Sequence, residues 1–498
     1  MKVSRVAWPL FLIAFLTVPA AASRPSPGSR VEPEVEYMAI FMAGRKMGYA
    51  QHTRALVEGN VVTTMRMNIG ITRGPTTVNI TAVESSTETA DGKPLAFKTT
   101  MDMATMAGTV EGTAGPDGNW NVATTTGRSK VTKEMGWPEG ALLSEGLRLL
   151  SVQKGLREGT AYAARVFETS SLRIMEANII IGPRKSVDLL GRVVTLTEVV
   201  TVLKGGSAEI VATSYVDENF SALKTSIPAF GMTLDLVACT KEFAQSKNGV
   251  LDFFDKLLLV SPASLKGLKA GAEVAYTLEP ADPGAKWTIP STDEQEVQPA
   301  QAGAAYPVRV TVRPLEVPKG VTFPYKGADA NLLAATGPAR YLQSDDKRVA
   351  ELARQAIGDA TDAGEAVRRI EAFVRKHITK KDLSVGYASA AEVAVSKQGD
   401  CTEHAMLAAA LCRAAGIPAQ VAVGMAYVPA FGEKKDVFGP HAWARAYVGG
   451  KWVSLDAALN GFDGGHILLA CGDGDPSDFF NVINLLGQFR IAEVKVGK

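Results

Sequence analysis

From residue 35 to residue 245 the chain consists of short runs rich in Thr, Val and Ile, separated by Gly and Asn turns, and this texture constrains the fold more than any other feature. Val61 to Met67 and Val193 to Val202 are such runs, and Asp117-Gly118-Asn119 is such a turn. Apolar residues that alternate across a pleat, with turn residues between the runs, describe strands that pair with their chain neighbours. The expectation is an antiparallel β domain, its sheet open or curled into a partial barrel. One interruption, Glu139 to Gln153, spaces Leu142, Leu143, Leu147, Leu149 and Leu150 as a helix does. The stretch has no cluster of His, Cys and acid that would mark a reaction. Its expected role is folding or positioning, and it could recognise a protein partner.

Ahead of it, Lys2 and Arg5 precede an apolar run from Val6 to Val18 that closes on Ala20-Ala21-Ala22, the pattern of a cleaved signal peptide over residues 1–22. Residues 23–34 are rich in Pro, Ser and Arg and read as a linker. No later stretch approaches the roughly 18 apolar residues that a membrane span needs, so no integral membrane association is expected after signal removal. The expected location is periplasmic or secreted. Lys plus Arg number 53 against 52 Asp plus Glu, a net charge of +1 with no basic stripe, which argues against a nucleic-acid partner. Four cysteines are too few for a disulfide framework and enough for chemistry.

Residues 246–330 read as a small β-rich connecting segment. Their clearest strand, Val308 to Arg313, alternates apolar with polar and closes on Pro314. From residue 331 to 498 the texture changes. Val349 to Ile357 and Ala363 to Ile378 carry helical apolar spacing, with Ile370, Phe373 and Val374 on one face. The fold class is therefore multidomain α+β, a mainly antiparallel β region followed by a C-terminal α/β domain.

The chemistry concentrates in that last domain. Asp400 followed by Glu403 is a capping-box variant, and Gly416 followed by Pro418 is a helix stop, so Cys401 opens a helix. Unpaired N–H groups and the positive dipole end favour thiolate there, which makes Cys401 the best nucleophile in the chain. Cys412 lies eleven residues on, within the apolar stripe, and reads as core.

A thiolate that transfers acyl groups needs a proton shuttle and an acid to orient it. His441 to Val448 alternates as a strand, Gly449-Gly450 makes a two-residue turn, and Lys451 to Asp456 returns. That turn pairs Val448 with Lys451 and brings Asp456 opposite Trp443, two residues from His441 on the same face. Diagonal neighbours of this kind lie within roughly 7 to 8 Å, within reach of an imidazole–carboxylate hydrogen bond.

Four blocks in this order resemble the transglutaminase-like superfamily of papain-type thiol enzymes. They are Gly399-Asp400-Cys401, then Leu411 to Ala419, then His441-Ala442-Trp443, and then Trp452 to Asp456. The likeness covers about Val349 to Ala470. It implies a papain-like catalytic domain over 331–498, with Cys401 as nucleophile, His441 as base and then acid, and Asp456 as orienter. It implies an exported enzyme that cleaves or transfers the acyl group of a peptide or protein amide through a Cys401 thioester, with no organic cofactor. Gln420 stands where the family commonly has arginine. The backbone N–H of Cys401 is one oxyanion donor, Gln398 and Tyr387 are candidates for the second, and Trp443 and His404 are candidates to line the pocket.

Three other readings compete. Cys401 and His404 have C-x-x-H spacing that His441, His466 and Cys471 could complete as a zinc site, although the paired knuckle of structural zinc is missing. The stretch Gly472 to Asp478 suggests calcium but lacks the glycine at position six of an EF-hand loop, and Asp475 with Pro476 explains it as the start of a short helix. Finally, the size of the β region suits an exported binding or scaffold protein with an inactive triad. The preferred reading needs no metal.

Overall fold

The structure is a computed structural model that describes residues 33–497, apart from 74–75, 104–105, 128, 206–207, 230, 250–256, 282–286, 301–304, 382–386, 460, 480–481 and 483–484. The leader and nearly all of the linker read from the sequence lie outside the described residues. The chain divides into two compact units that part between Asp252 and Phe253.

In the N-terminal unit, fifteen strands make one sheet. Its order is two consecutive meanders, one from Glu34–Met42 to Ser129–Gly136 and one from Ala161–Glu168 to Met232–Cys239, with Ala141–Leu142 added parallel to Ala161–Glu168. They join where Glu34–Met42 pairs antiparallel with Met232–Cys239, Ile40 opposite Leu236. The pleat explains the alternation. In Arg173–Leu189, Met175, Ala177, Ile179 and Ile181 are buried while Glu176, Asn178 and Ile180 point outward.

The sheet curls until its two ends share a core. Phe97 and Trp120 of the first meander pack with Ala141 and Phe167 of the second. Ring centroids of Trp120 and Trp137 lie 4.3 Å apart, and those of Trp137 and Phe167 4.6 Å. Aromatic rings supply the large apolar area that such a closure needs. The helical interruption is Ser144–Lys154, shorter at its start than expected because Ala141 and Leu142 extend the sheet. Its cap residue, Leu143, has no polar side chain to offer. Glu88, from the strand Thr76–Thr89, instead accepts from the N–H groups of Glu145 (2.7 Å) and Gly146 (2.9 Å).

The C-terminal unit begins before the point where the helical texture starts. Residues 246–330, read as a connector, supply three strands of a four-stranded sheet: Gln295–Pro299, Val308–Val312 and Val274–Pro280. The fourth is Phe489–Val496, the last strand of the chain, with Tyr276 opposite Val494. A partner so distant in sequence leaves no local pattern, which is why the segment reads as separate.

A second sheet holds Leu259–Val260, Lys434–Val448, Ala419–Phe431 and His466–Gly472, with Lys451–Leu455 paired to Lys434–Val448. Helices Lys347–Ile357, Ala363–His377 and Ala390–Ser396 surround Cys401–Ala414. That central helix is buried along nearly its whole length, and Ala405, Ala408, Ala409 and Ala410 let its neighbours approach closely. A helix buried on every side is what an apolar surface all round predicts. Among the described residues no helix is long and apolar enough to cross a membrane.

Candidate active site

Cys401 is the first residue of its helix, and its position is fixed by the residues before it. The Asp400 side chain accepts from the Thr402 N–H (3.2 Å), and the Glu403 carboxylate accepts from the Asp400 N–H (3.0 Å), a reciprocal cap. The other Glu403 oxygen takes the Ala388 N–H at 3.0 Å. Gly399 has φ +151°, and a Cβ there would meet the Glu403 side chain at 2.3 Å, so the turn requires glycine. The Cys401 Sγ accepts a hydrogen bond from the Ala442 N–H at 3.2 Å. An N–H aimed at sulfur and a helix N-terminus both favour negative charge on it.

Ala442 follows His441 in the strand Lys434–Val448. The hairpin pairs Val448 with Lys451 and Ala444 with Leu455, the register that a Gly449-Gly450 loop requires, and Asp456 follows directly. His441 Nε2 lies 2.7 Å from Asp456 Oδ2, and both side chains are buried. The other ring nitrogen, Nδ1, is buried without a hydrogen bond among the described residues. The structure thus brings Cys401, His441 and Asp456 into one buried cluster.

Asp456 is held from every side. Its Oδ1 accepts from the N–H groups of Ala458 (2.8 Å) and Leu459 (3.0 Å), so it also caps the turn that follows. Its own N–H donates to Glu371 at 2.9 Å, and Arg375 donates to its carbonyl at 3.0 Å. Burial pushes the carboxyl up, but the facing histidines and their hydrogen bonds win and hold it well below the usual carboxylate range. Glu371 goes the other way. Burial, against the opposing pull of Arg375, pushes it up to about 7.

Sequence reasoning met His466 only as a possible zinc ligand. In the structure it is the second histidine on Asp456, with Nε2 3.1 Å from Oδ2 and Nδ1 3.0 Å from Asp463 Oδ1. Burial opposes its charge, yet the hydrogen bonds and charges of the two carboxylates lift it to about 9. The two carboxylates thus favour the imidazolium form of His466. The signal available was Asp463-Gly464-Gly465-His466, an acid three residues before a histidine across a turn. Trp443 packs among these rings, 6.1 Å from His441 and 5.3 Å from His466 between centroids, and its Nε1 donates to Ser454 at 3.1 Å.

His404 is buried, and its Nδ1 donates to the Asp400 carbonyl at 2.5 Å. A carbonyl only accepts, so Nδ1 carries the proton and Nε2, which has no partner among the described residues, carries the lone pair. Burial lowers its ionisation. Tyr387 donates its hydroxyl proton to the Gly474 carbonyl at 2.5 Å, which commits that proton and counts against it as an oxyanion donor. Gln398 lies three residues before Cys401, and its backbone bridges to Lys380. Gln420 faces Arg445 across the sheet.

His441, Asp456 and His466 offer ligand atoms within 4.8 Å of one another. One oxygen of Asp456 serves both rings, the arrangement of a shared hydrogen-bond acceptor. Cys471, the other member of the zinc reading, accepts instead from Arg445 at 3.4 Å. In the stretch read for calcium, Asp473 accepts from Arg413 at 2.5 Å, and Pro476–Phe479 is a short 3-10 helix. Cys239, Cys412 and Cys471 are all thiols that burial pushes up, Cys412 to about 12.

Residues 350–457 match the transglutaminase-like superfamily model, so the C-terminal unit carries a transglutaminase-like domain. Three solved structures are similar in part. One is a "putative cysteine protease" from Cytophaga hutchinsonii, with 21% identity over 45% of this chain and 88% of that one and a TM-score of 0.30. Another is a beta-barrel-like protein of a domain of unknown function from Brucella abortus, with 11% identity over 42% and 97% and a TM-score of 0.34. The third is a "putative protease" from Parabacteroides distasonis, with 12% identity over 71% and 64% and a TM-score of 0.19. No curated protein matches.

Proposed function

We propose that the transglutaminase-like domain at residues 350–457 is an active thiol enzyme that hydrolyses amide bonds of peptides or proteins, with Cys401, His441 and Asp456 as its catalytic residues. One observation carries the reading. The buried His441–Asp456 pair, at 2.7 Å, lies one residue from the amide that donates to the Cys401 sulfur. With Nε2 held by Asp456, Nδ1 is the nitrogen left to exchange protons.

The Cys401 thiolate attacks the amide carbon, and the carbonyl oxygen becomes an oxyanion that the Cys401 N–H stabilises, with Gln398 as second donor. His441 gives its Nδ1 proton to the leaving amine as the C–N bond breaks, which leaves a thioester. Water, deprotonated by His441, then attacks the thioester and releases the acid and the thiolate. An amine in place of water gives acyl transfer; water is the more abundant acceptor for an exported protein. The leader at residues 1–22 belongs to the same proposal, and a mature N-terminus at Ser23 in the exported fraction tests it.

Timed alkylation with iodoacetamide at pH 7, read per cysteine by mass spectrometry, tests the thiolate. Cys401 is expected to react at least about tenfold faster than Cys239, Cys412 and Cys471. Cys401→Ala is expected to abolish cleavage of fluorogenic peptide amides. Uniform slow labelling would favour the inactive binding protein instead.

A further inference from the structure

The N-terminal unit contains a mainly apolar cavity, open in part to solvent, which the proposed reaction does not use. The floor is the inward face of Arg173–Leu189, where Met175, Ala177, Ile179 and Ile181 all line it. The flanking strands continue that surface: Val166 stands opposite Met175, Leu203 opposite Ala177, and Val199 opposite Ile181. Met175 and Ile181 are six residues apart, so at roughly 3.3 Å per residue the floor runs about 20 Å. A mainly apolar floor of that length suits an extended chain.

The carboxyl groups are not spread evenly, whereas the hydroxyl-bearing Tyr162, Thr201 and Ser214 line the cavity farther along, near Ile179 and Ile181. Glu168 stands opposite Arg173, at the Met175 end. Glu84 is brought to the same end by Thr99, which donates to its carboxyl (3.4 Å) and is bonded to Thr169 (2.6 Å). Glu168 is occupied already, since it accepts from the backbone and hydroxyl groups of both Ser170 and Ser171. Glu84 keeps part of its surface although protein surrounds it, as a carboxyl facing a cavity does. Burial first, and the charge of Glu168 second, push its ionisation well up, which favours the protonated form that can donate a hydrogen bond. No Lys, Arg or His lines the cavity among the described residues. Two carboxyl groups and no cation disfavour an anionic head group there.

We infer that this cavity binds a single-chain amphiphile, its acyl chain along the Met175–Ile181 floor and an uncharged, oxygen-bearing head group at Glu84. A monoacylglycerol has that chemistry, whereas a fatty-acid carboxylate does not.

The test uses the full chain and the neutral fluorophore N-phenyl-1-naphthylamine. One saturable site per chain is expected, emptied by monomyristoylglycerol and at least tenfold less readily by myristate at pH 7.5. Ala177→Phe fills the middle of the floor and is expected to weaken probe binding at least tenfold. Ile180→Phe, the next outward-facing position on the same strand, is expected to leave it unchanged. Glu84→Leu is expected to weaken monomyristoylglycerol selectively, and Glu84→Gln to restore it. If circular dichroism finds Ala177→Phe unfolded, Ile179→Phe repeats the test with a smaller change in volume. Absence of saturable binding to the wild type would overturn the inference. So would equal effects of Ala177→Phe and Ile180→Phe, or myristate competing as well as the neutral lipid.

Discussion

Replacing His466 by glutamine removes a buried positive charge while keeping an N–H donor for Asp456. The ring is 3% exposed, so solvent screens its pairing little. Burial opposes its charge, but Asp456 and Asp463 together lift its ionisation from the ordinary 6.5 to about 9. Between those two values the native protein keeps a proton that the unfolded chain has lost, so stability falls as pH rises. At 1.36 kcal/mol per unit, the lift from 6.5 to about 9 corresponds to about 3 kcal/mol, fully present below pH 6.5 and lost as pH passes about 9. Urea unfolding of wild type and His466→Gln from pH 6 to 9.5, followed by tryptophan fluorescence, measures this directly. The stability difference is expected to be largest at pH 6 and to shrink by about 3 kcal/mol by pH 9.5. Glu371, pushed up to about 7, titrates in both proteins and cancels to first order in the difference. A difference constant across the range would refute the assignment of His466 as a buried imidazolium.

Asp456→Asn keeps the shape of the site but can hold the imidazole in the wrong tautomer, and a fall of roughly 10⁴-fold in kcat is expected in steady-state kinetics. Gln398→Ala is expected to lower kcat by roughly 10²- to 10³-fold with KM little changed, the mark of a donor that acts on the oxyanion. Phe97→Ala opens the aromatic core that closes the N-terminal sheet, and a loss of about 3 to 5 kcal/mol in urea unfolding is expected, with amide hydrolysis at low denaturant retained.

Much of the candidate site is legible because its geometry is local. Asp400, Glu403 and Gly399 specify where the helix starts, and therefore where the Cys401 sulfur sits. Gly449-Gly450 fixes a register from which the approach of Asp456 to His441 follows by counting. His466 escapes this reasoning because it reaches Asp456 through the loop after residue 456 and from a different strand pairing. Distance in sequence hides two features of the fold for the same reason. Glu88 caps a helix that begins more than fifty residues later, and Phe489–Val496 completes a sheet begun at Val274. The alternation in Arg173–Leu189 says which side chains face inward, but not whether the space they face is filled.

The seam between the two meanders bears on how the N-terminal sheet is assembled. Along each meander every strand meets a chain neighbour, so pairing can advance largely hairpin by hairpin with short loops to close, the parallel pair of Ala141–Leu142 with Ala161–Glu168 being the exception. The pairing of Glu34–Met42 with Met232–Cys239 must instead wait for two segments far apart in sequence to find each other. Closure of so long a loop carries the largest entropy loss in the sheet, and contacts of that sequence separation slow folding. Refolding of this unit should therefore be rate-limited by the seam, and substitutions at Ile40 or Leu236 should change the slow phase while each meander still forms.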